Sequence, residues 1–140
     1  MDKSLLDTDV LIHFFKEKFG FLEKIDQVGI ENCYVSEISL AELFYGAHYS
    51  DNLEKHLKEG KLARDEFQIL PISKIIERYG KERARLREAG APIDRHDIFI
   101  GTTAVTYGLI TVTGNAKHFE RLKGIQLQDW TKTEHNEFAA

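Results

Sequence analysis

Two hydrophobic periods alternate along the chain, one typical of β-strands and one typical of amphipathic helices. The apolar run Ser4-Leu5-Leu6 ends at Asp7-Thr8-Asp9, and helical spacing follows up to about Gly20. The same change of period recurs several times further along. Strands are predicted at residues 4–6, 34–36, 69–72, 109–113 and 125–127. Helices are predicted after residues 7–9, at 21–27, from 39 to 47, at 51–66, from 73 to 88, from about 95 to 105, and at 115–122.

This alternation predicts the α/β class, with a mostly parallel central sheet in a single domain over residues 1–140. Pro71 lacks a backbone donor, so it suits the end or the edge of its strand. In open α/β sheets the loops that follow the strands converge on one crevice, where ligands bind. Asp7 and the Gly114-Asn115 turn both follow predicted strands, and we expect them to meet at that crevice.

Polar residues at several predicted helix starts have an ordinary structural explanation. Thr8 or Asp9 is expected to cap the first helix, because such side chains accept hydrogen bonds from its free N–H groups. The segment Ser39-Leu40-Ala41-Glu42 has the pattern of a capping box. Ser50 and Ser73 are expected to cap two later helices. Helix capping therefore explains much of this polar pattern without any chemistry.

Three acidic residues stand out because apolar segments border each of them. Asp7, Glu42 and Asp97 all adjoin residues that we expect in the core. Asp97 also follows Asp94 by three residues, near a helix start where a carboxylate is stabilised by about 0.3–1 kcal/mol. Carboxylates from three distant parts of the chain are costly to bury unless a cation neutralises them. Their oxygen ligands suit Mg²⁺ or Mn²⁺, so the pattern predicts a metal site.

A metal site of this kind indicates hydrolysis of a phosphodiester. Negative charge builds up on the phosphate oxygens during that reaction, and a bound divalent ion stabilises the charge and activates a water molecule. No covalent nucleophile is required. The sequence contains no Gly-rich P-loop, no GxSxG elbow and no HExxH pattern, which argues against other familiar hydrolase classes.

Charge and cysteine content refine this picture. The net charge of −4 argues at first against a nucleic-acid partner, yet basic residues cluster at positions 74–87 and 117–123. Such clusters are equally typical of a solvated helix face. The single cysteine, Cys33, excludes an internal disulfide, and acidic residues interrupt the apolar amino terminus, so we expect a cytoplasmic protein without a membrane helix or signal peptide. The basic residues that we expect to contact nucleic acid are Arg78, Lys81, Arg85, Lys117 and Arg121.

Four sequence blocks resemble the PIN-domain ribonucleases, especially the VapC-type toxins of bacterial toxin–antitoxin pairs. The blocks are LLDTDVLI at 5–12, SLAELFYGA at 39–47, DIFIG at 97–101 and TVTGNAKHF at 111–119, with a closing segment at 125–130. They occur in the family's order and cover nearly the whole chain. The resemblance implies a three-layer α/β/α sandwich with a short, mostly parallel sheet. It also implies an endoribonuclease that depends on Mg²⁺ or Mn²⁺ and acts as the toxin of a type II system.

The resemblance implies roles for individual residues. Asp7, Glu42 and Asp97 match the acidic residues that bind or orient the metal. Asn115 falls where many PIN domains carry a fourth acid, and with these three acids it completes the expected catalytic residues. Because it is not an acid, a second tightly held metal ion is less well supported. Thr8, Asp9 and Thr113 are expected to orient the ligands through hydrogen bonds. Asp94 competes with Asp97 as the acid of the buried helix, but the spacing to the following apolar residues favours Asp97, which leaves Asp94 a supporting role.

The resemblance also implies three partners. One is an RNA, with transfer, ribosomal and messenger RNA all left open. The second is a cognate VapB-type antitoxin whose carboxyl-terminal segment fills the catalytic groove, and the third is a second copy of the chain in a homodimer. The sequence offers some support, because its aromatic residues exceed what a small core readily uses and an exposed apolar groove would suit an antitoxin helix. These residues are Phe14, Phe15, Phe19, Phe21, Leu22, Phe44 and Tyr45.

Two rival functions are left open by the sequence. Asp7-Thr8-Asp9-Val10 after an apolar strand also matches the aspartyl-nucleophile motif of haloacid-dehalogenase phosphatases, although the later Ser/Thr and Lys motifs of that class are missing. The second rival is a catalytically weak PIN-like module that binds RNA or protein without cutting. Asn115 keeps this possibility open, whereas clustered carboxylates facing an anionic ligand argue against it.

Overall fold

A computed structural model describes residues 2–131. Within that range, strands and helices alternate along most of the chain. The strands are β1 (Ser4–Leu6), β2 (Cys33–Ser36), β3 (Gln68–Leu70), β4 (Ile110–Val112) and β5 (Leu127–Gln128). The helices are α1 (Thr8–Phe15), α2 (Phe21–Val28), α3 (Glu37–Tyr49), α4 (Leu53–Glu66), α5 (Ile76–Glu88), α6 (Arg95–Tyr107) and α7 (Ala116–Phe119). Short 3₁₀ turns at Ile30–Asn32 and Ser73–Ile75 precede β2 and α5.

The five described strands form one parallel sheet in the order β3-β2-β1-β4-β5. The chain moves from β1 outward to β2 and β3, then returns to the other side of β1 as β4. This reversal is the topological switch point at which α/β proteins bind ligands. Pro71 follows the edge strand β3, as predicted. The sheet therefore brings the loops after β1 and β4 side by side.

Helices cover both faces of the sheet and form two separate cores. On one face, Leu6 and Val35 pack with residues of α1, α2 and α4, such as Leu11, Ile25 and Ala63. On the other face, Leu5 packs with residues of α5, α6 and α7. The cores bury their side chains almost completely, which confirms the predicted three-layer α/β/α sandwich. α6 is buried along most of its length, as its apolar composition predicts.

The predicted capping box at Ser39 is wrong. α3 begins at Glu37, and the hydroxyl of Ser36 caps it by accepting a hydrogen bond from the Ile38 N–H at 3.1 Å. Ser36 has extended backbone angles and directly ends β2, so the chain turns into the helix three residues earlier than predicted. Glu42 consequently lies in the second turn of α3, where a capping role cannot explain it.

Three other caps also differ from the prediction. Asp7 caps α1 rather than Thr8 or Asp9, and Asn52 caps α4 rather than Ser50. Ser73 opens a 3₁₀ turn without a side-chain cap. For α1 and α4, the residue with extended or irregular backbone just before the helix caps it, and it is not the polar residue that the pattern predicted.

Two elements near the end of the described chain differ from their predicted bounds. β5 is shifted to Leu127–Gln128, and α7 is one turn long instead of two.

Among the helices of residues 2–131, none is both long and apolar enough to cross a lipid bilayer.

Candidate active site

A pocket of about 400 Å³ lies at the carboxyl ends of β1 and β4. All four residues predicted to be catalytic line it, together with two of the supporting residues. Asp7 follows β1, Glu42 comes from α3, and Asp97 comes from the first turn of α6. The structure therefore brings together acidic side chains that are 35 and 55 residues apart in the sequence. The predicted residues in the lining are Asp7, Thr8, Asp9, Glu42, Asp97 and Asn115.

Asp7 is held rigidly at the base of the pocket. One carboxylate oxygen accepts a hydrogen bond from the Thr8 N–H at 2.8 Å, and the other accepts one from the Thr113 hydroxyl at 2.8 Å. Its own N–H donates to the Val112 carbonyl oxygen at 2.9 Å. β4 and the residue after it therefore position Asp7 through two hydrogen bonds, one to the Val112 carbonyl oxygen and one from the Thr113 hydroxyl.

The surroundings of Asp7 disfavour its negative charge. Its residue surface is only 5% exposed, and burial raises its pKa to about 6 despite the opposing hydrogen bonds from Thr113 and Thr8. The charges of Asp9 and Asp97 raise the pKa further. A carboxylate in such an environment is stabilised by a nearby cation.

Thr113 also joins Asp7 to Asn115 and Asp9. The Thr113 hydroxyl accepts a hydrogen bond from the Asn115 N–H at 3.0 Å. The Asn115 side-chain amide donates to the Asp9 carboxylate at 3.2 Å. The loop after β4 is thereby tied to the start of α1 by Asn115, which was predicted to be catalytic, and by Thr113 and Asp9, which were predicted to orient the ligands.

Asp97 and His118 form the far side of the pocket. The Asp97 side chain is 17% exposed, and its pKa is raised by burial and by the charge of Asp94. His118 Nδ1 lies 3.5 Å from an Asp97 carboxylate oxygen. The sequence analysis did not identify His118, although it belongs to the same TVTGNAKHF block as Asn115.

A second histidine, His96, joins Glu42 to Asp94. His96 Nε2 lies 3.1 Å from a Glu42 carboxylate oxygen, and His96 Nδ1 lies 3.2 Å from an Asp94 oxygen. The same Asp94 oxygen accepts the His96 N–H at 2.8 Å and so caps α6. Asp94 itself is not part of the pocket lining, whereas His96 is. Of the two competing acids, Asp97 is therefore the one at the pocket. The proximity of His96 to Asp97 in sequence was the available signal for its role.

One further residue missed by the sequence analysis is Ser39. It is fully buried, and its side-chain oxygen accepts a hydrogen bond from the Thr8 hydroxyl at 2.9 Å. This contact ties α3, which carries Glu42, to the turn that carries Asp7.

The side chains at the pocket offer oxygen donors to a divalent ion but do not enclose one. Within residues 2–131, no three carboxylate, imidazole or thiolate side chains converge closely enough to enclose a metal by themselves. Mg²⁺ does not require such an enclosure, because it keeps several water ligands and is usually bound through one or two carboxylates. Asp7 and Asp97, whose charges disfavour each other, supply hard oxygen donors of the required type. The residues at the pocket therefore fit Mg²⁺ or Mn²⁺.

None of the five predicted basic residues is part of the lining of this pocket. Arg78, Lys81 and Arg85 line a separate groove of about 600 Å³ between α5, α6 and the segment before β5. Lys117 and Arg121 are exposed, and the Arg121 carbonyl accepts a hydrogen bond from the Arg85 guanidinium at 2.7 Å.

Another set of arginines lies closer to the acidic residues. Arg83, Arg87 and Arg95 line a groove of about 370 Å³ that also includes Asp94, the residue in contact with His96. These three arginines were not predicted to contact nucleic acid. Residues of α5 face two different grooves, and the sequence does not distinguish the groove of Arg83 and Arg87 from that of Lys81 and Arg85.

Comparison with protein families and curated proteins gives a consistent result. Residues 4–125 match the PIN domain family. The chain is 34% identical to the tRNA(fMet)-specific endonuclease VapC of Salmonella typhimurium, over 93% of this chain and 99% of that protein. It is 32% identical to Ribonuclease VapC1 of Haemophilus influenzae, over 91% of this chain and 98% of that protein.

Solved structures show the same relationship. The fold matches a DNA-bound VapBC complex from Salmonella typhimurium with a TM-score of 0.84 and 31% identity, over 93% of this chain and 99% of the matched chain. It matches VapBC-1 of nontypeable Haemophilus influenzae with a TM-score of 0.80 and 31% identity, over 92% and 98% of the two chains.

Proposed function

The chain belongs to the PIN domain family and to its VapC group, and on this premise we propose that it is an endoribonuclease. The single observation that carries the proposal is the pocket in which Asp7, Glu42 and Asp97 meet. These residues lie at the switch point of the sheet, where the Asp97 charge disfavours the charge of Asp7. Hydrolysis of an RNA phosphodiester is the reaction that this arrangement and the family membership support best.

The proposed cofactor is Mg²⁺, with Mn²⁺ as its substitute. Asp7 and Asp97 would hold it, and Glu42 would bind or orient it from α3. When bound, the ion would neutralise the carboxylates and stabilise the negative charge that builds up on the phosphate oxygens. Fixed ligands lower the cost of reorganisation during the reaction, and the hydrogen bonds of Thr8 and Thr113 fix Asp7 in this way.

The histidines position two of the acids. His96 contacts Glu42 and is itself held by Asp94, so Asp94 acts on the site through the imidazole. His118 contacts Asp97 in the same manner. Asn115 orients Asp9 and interacts with the Thr113 hydroxyl, so it keeps the Asp7 side of the pocket in place.

The proposed physiological role is that of a toxin paired with a VapB-type antitoxin. The support is the overall similarity to chains of VapBC complexes, at 31% identity and nearly full coverage. The exposed Phe19, Leu22 and Tyr45, which are 52%, 41% and 63% exposed, offer apolar surface for such a partner or for a second copy of the chain. Among RNA classes, transfer RNA is the first substrate to test, because some relatives are named as endonucleases specific for tRNA(fMet).

The rival functions have less support. A phosphatase of the haloacid-dehalogenase type would use Asp7 as its nucleophile, but both Asp7 oxygens already accept hydrogen bonds, and the chain matches the PIN family over residues 4–125. A PIN-like module that only binds RNA or protein has no use for the clustered negative charge of this pocket.

The test is a cleavage assay with purified protein on total RNA. Reactions contain Mg²⁺, Mn²⁺ or EDTA, beside the Asp7→Asn variant and the phosphatase substrate p-nitrophenyl phosphate. We expect discrete RNA fragments with either metal, and none with EDTA or with the variant. Phosphate release without RNA cleavage would support the phosphatase, and no activity on either substrate would support the binding module.

A further inference from the structure

Two tyrosines of α3 expose large aromatic surfaces beside the acidic pocket. Tyr45 is 63% exposed and Tyr49 is 82% exposed. Their rings stack with centroids 5.9 Å apart and planes inclined by only 13°. An exposed pair of stacked rings leaves the outer faces of the stack open to water, which is an unfavourable state for aromatic surface.

Tyr45 is part of the pocket wall, and Tyr49 is one turn further along the helix. Tyr45 follows Glu42 by three residues, so both side chains lie on the same side of α3, and both line the pocket that contains Asp7 and Asp97. Gly46, also in the lining, has no side chain, and no atom beyond its chain neighbours and its own helix backbone lies within 4 Å of the position of an added Cβ. The space at Gly46 is therefore open, and it belongs to the same pocket as the acidic residues.

We propose that Tyr45, supported by Tyr49, stacks against an unpaired base of the RNA substrate next to the bond that is cleaved. This inference rests on the proposed ribonuclease function. Bases of single-stranded RNA splay out and stack on aromatic side chains, and such stacking accepts any base because each has a π face. Tyr45 is thus a positioning residue that holds the nucleotide beside the acidic residues.

The chemistry of the surface favours a nucleobase over other occupants. Tyr45 lines the pocket together with several carboxylates, so an acidic peptide would be repelled there, whereas a nucleobase is planar and neutral. The stack offers a flat ring face, and a flat partner covers it without the deep apolar groove that a helix would need. An apolar segment of a protein partner is the competing occupant, and the experiment distinguishes the two.

The first measurement compares the steady-state cleavage kinetics of the wild type, Tyr45→Ala and Tyr45→Phe. Loss of one base stack is expected to raise KM about tenfold with kcat reduced less, and phenylalanine is expected to restore KM, because it keeps the ring. Ile76→Ala is the matched control, since Ile76 is a similarly exposed apolar residue, 55% exposed, at the start of α5 in the opposite layer.

The second measurement detects stacking directly and does not require cleavage. A 12-nucleotide single-stranded RNA carrying one 2-aminopurine is titrated with the Asp7→Asn variant in Mg²⁺, with and without the additional Tyr45→Ala change. Stacking quenches 2-aminopurine fluorescence, so we expect quenching that disappears when Tyr45 is replaced by alanine and persists with phenylalanine.

The outcomes separate this inference from the proposed function. If the wild type cuts no RNA, the ribonuclease proposal fails, and the fluorescence titration alone decides whether Tyr45 stacks on bases. If the wild type cuts RNA and Tyr45→Ala changes neither KM nor quenching, the stacking role is wrong. If Tyr45→Ala leaves KM unchanged but weakens binding of the cognate antitoxin, the surface belongs to the protein partner. That result would also overturn the inference.

Discussion

Two carboxylates of this protein, Asp7 and Glu82, are both largely withdrawn from water, yet their surroundings shift their pKa values in opposite directions. The Glu82 side chain is 12% exposed, and it accepts hydrogen bonds from the Arg85 guanidinium and from the Lys123 N–H. These bonds lower the pKa of Glu82 below its ordinary value, the Arg85 bond most strongly. Burial and neighbouring acids instead raise the pKa of Asp7 to about 6.

The difference separates a structural charge from a functional one. Glu82 fastens α5 to the segment before β5, and its charge is balanced by an adjacent cation. Asp7 has no cation within the described part of the chain to balance it, since its partners are Thr8, Thr113 and other acids. The Asp7 charge destabilises the folded state, yet it lies at the switch point of the sheet. A carboxylate with such a perturbed pKa in a pocket indicates a functional role rather than a structural one.

The strongest test of the comparison removes the Asp7 charge. Asp7→Asn is expected to lower RNA cleavage by a factor on the order of 10³, because the pocket loses a charged ligand while its shape is kept. Cleavage is measured on the RNA identified in the assay above, with circular dichroism to verify folding. Cleavage within about threefold of the wild type would remove Asp7 from the catalytic residues.

The same variant should be more stable than the wild type when metal is chelated. Asparagine is as good a helix cap as aspartate, and the Thr113 hydroxyl can reverse its role and accept from the new amide. A pKa raised from 3.8 to about 6 corresponds to about 3 kcal/mol of destabilisation at pH 7, which the substitution relieves.

Urea denaturation in EDTA at pH 7 measures this gain. Adding Mg²⁺ should stabilise the wild type more than the variant, because only the wild type retains the full set of acidic ligands. A variant less stable than the wild type under chelation would show that the Asp7 charge has a structural partner.

Glu82→Gln is expected to have the opposite effect, a destabilisation of about 1 kcal/mol with unchanged cleavage. The folded-state pKa of Glu82 lies below its unfolded value, so its contribution is present above pH 4.5 and is lost as the pH falls through the folded-state pKa. The free energies of unfolding of wild type and variant should therefore converge as the pH falls below 4.5, as urea denaturation at a series of pH values can show. If the difference between the two free energies of unfolding does not change with pH, the hydrogen bond from Arg85 does not lower the pKa of Glu82 as assigned here.

The smallest expected effect concerns the two basic grooves. Arg95→Glu reverses a charge in the groove that reaches Asp94, whereas Lys81→Glu reverses one in the groove beside Glu82. We expect the first variant to raise the KM for RNA about threefold more than the second, with a weaker dependence on salt, because it lies closer to the acidic pocket. Equal effects would mean that RNA contacts both grooves.

Local sequence determined much of this protein. The alternation of short apolar runs with helical periods predicted the parallel α/β sandwich, because the period of apolar positions depends only on neighbouring residues. The position of Asp7 after β1 and of Asn115 after β4 predicted the crevice, since parallel strands end at one edge. The acidic residues at the pocket were likewise identified from the sequence and its resemblance to a family.

Only the tertiary structure determined how these residues are held. Thr113 donates to Asp7 across 106 residues because β4 pairs with β1, a strand order that no local pattern encodes. The contacts of His96 and His118 with the acids, and the arginines that line the groove beside Asp94, depend on how the helices are rotated against the sheet. Helix rotation and strand order result from the packing of two whole cores, and packing energy is spread over many distant residues rather than carried by any single segment.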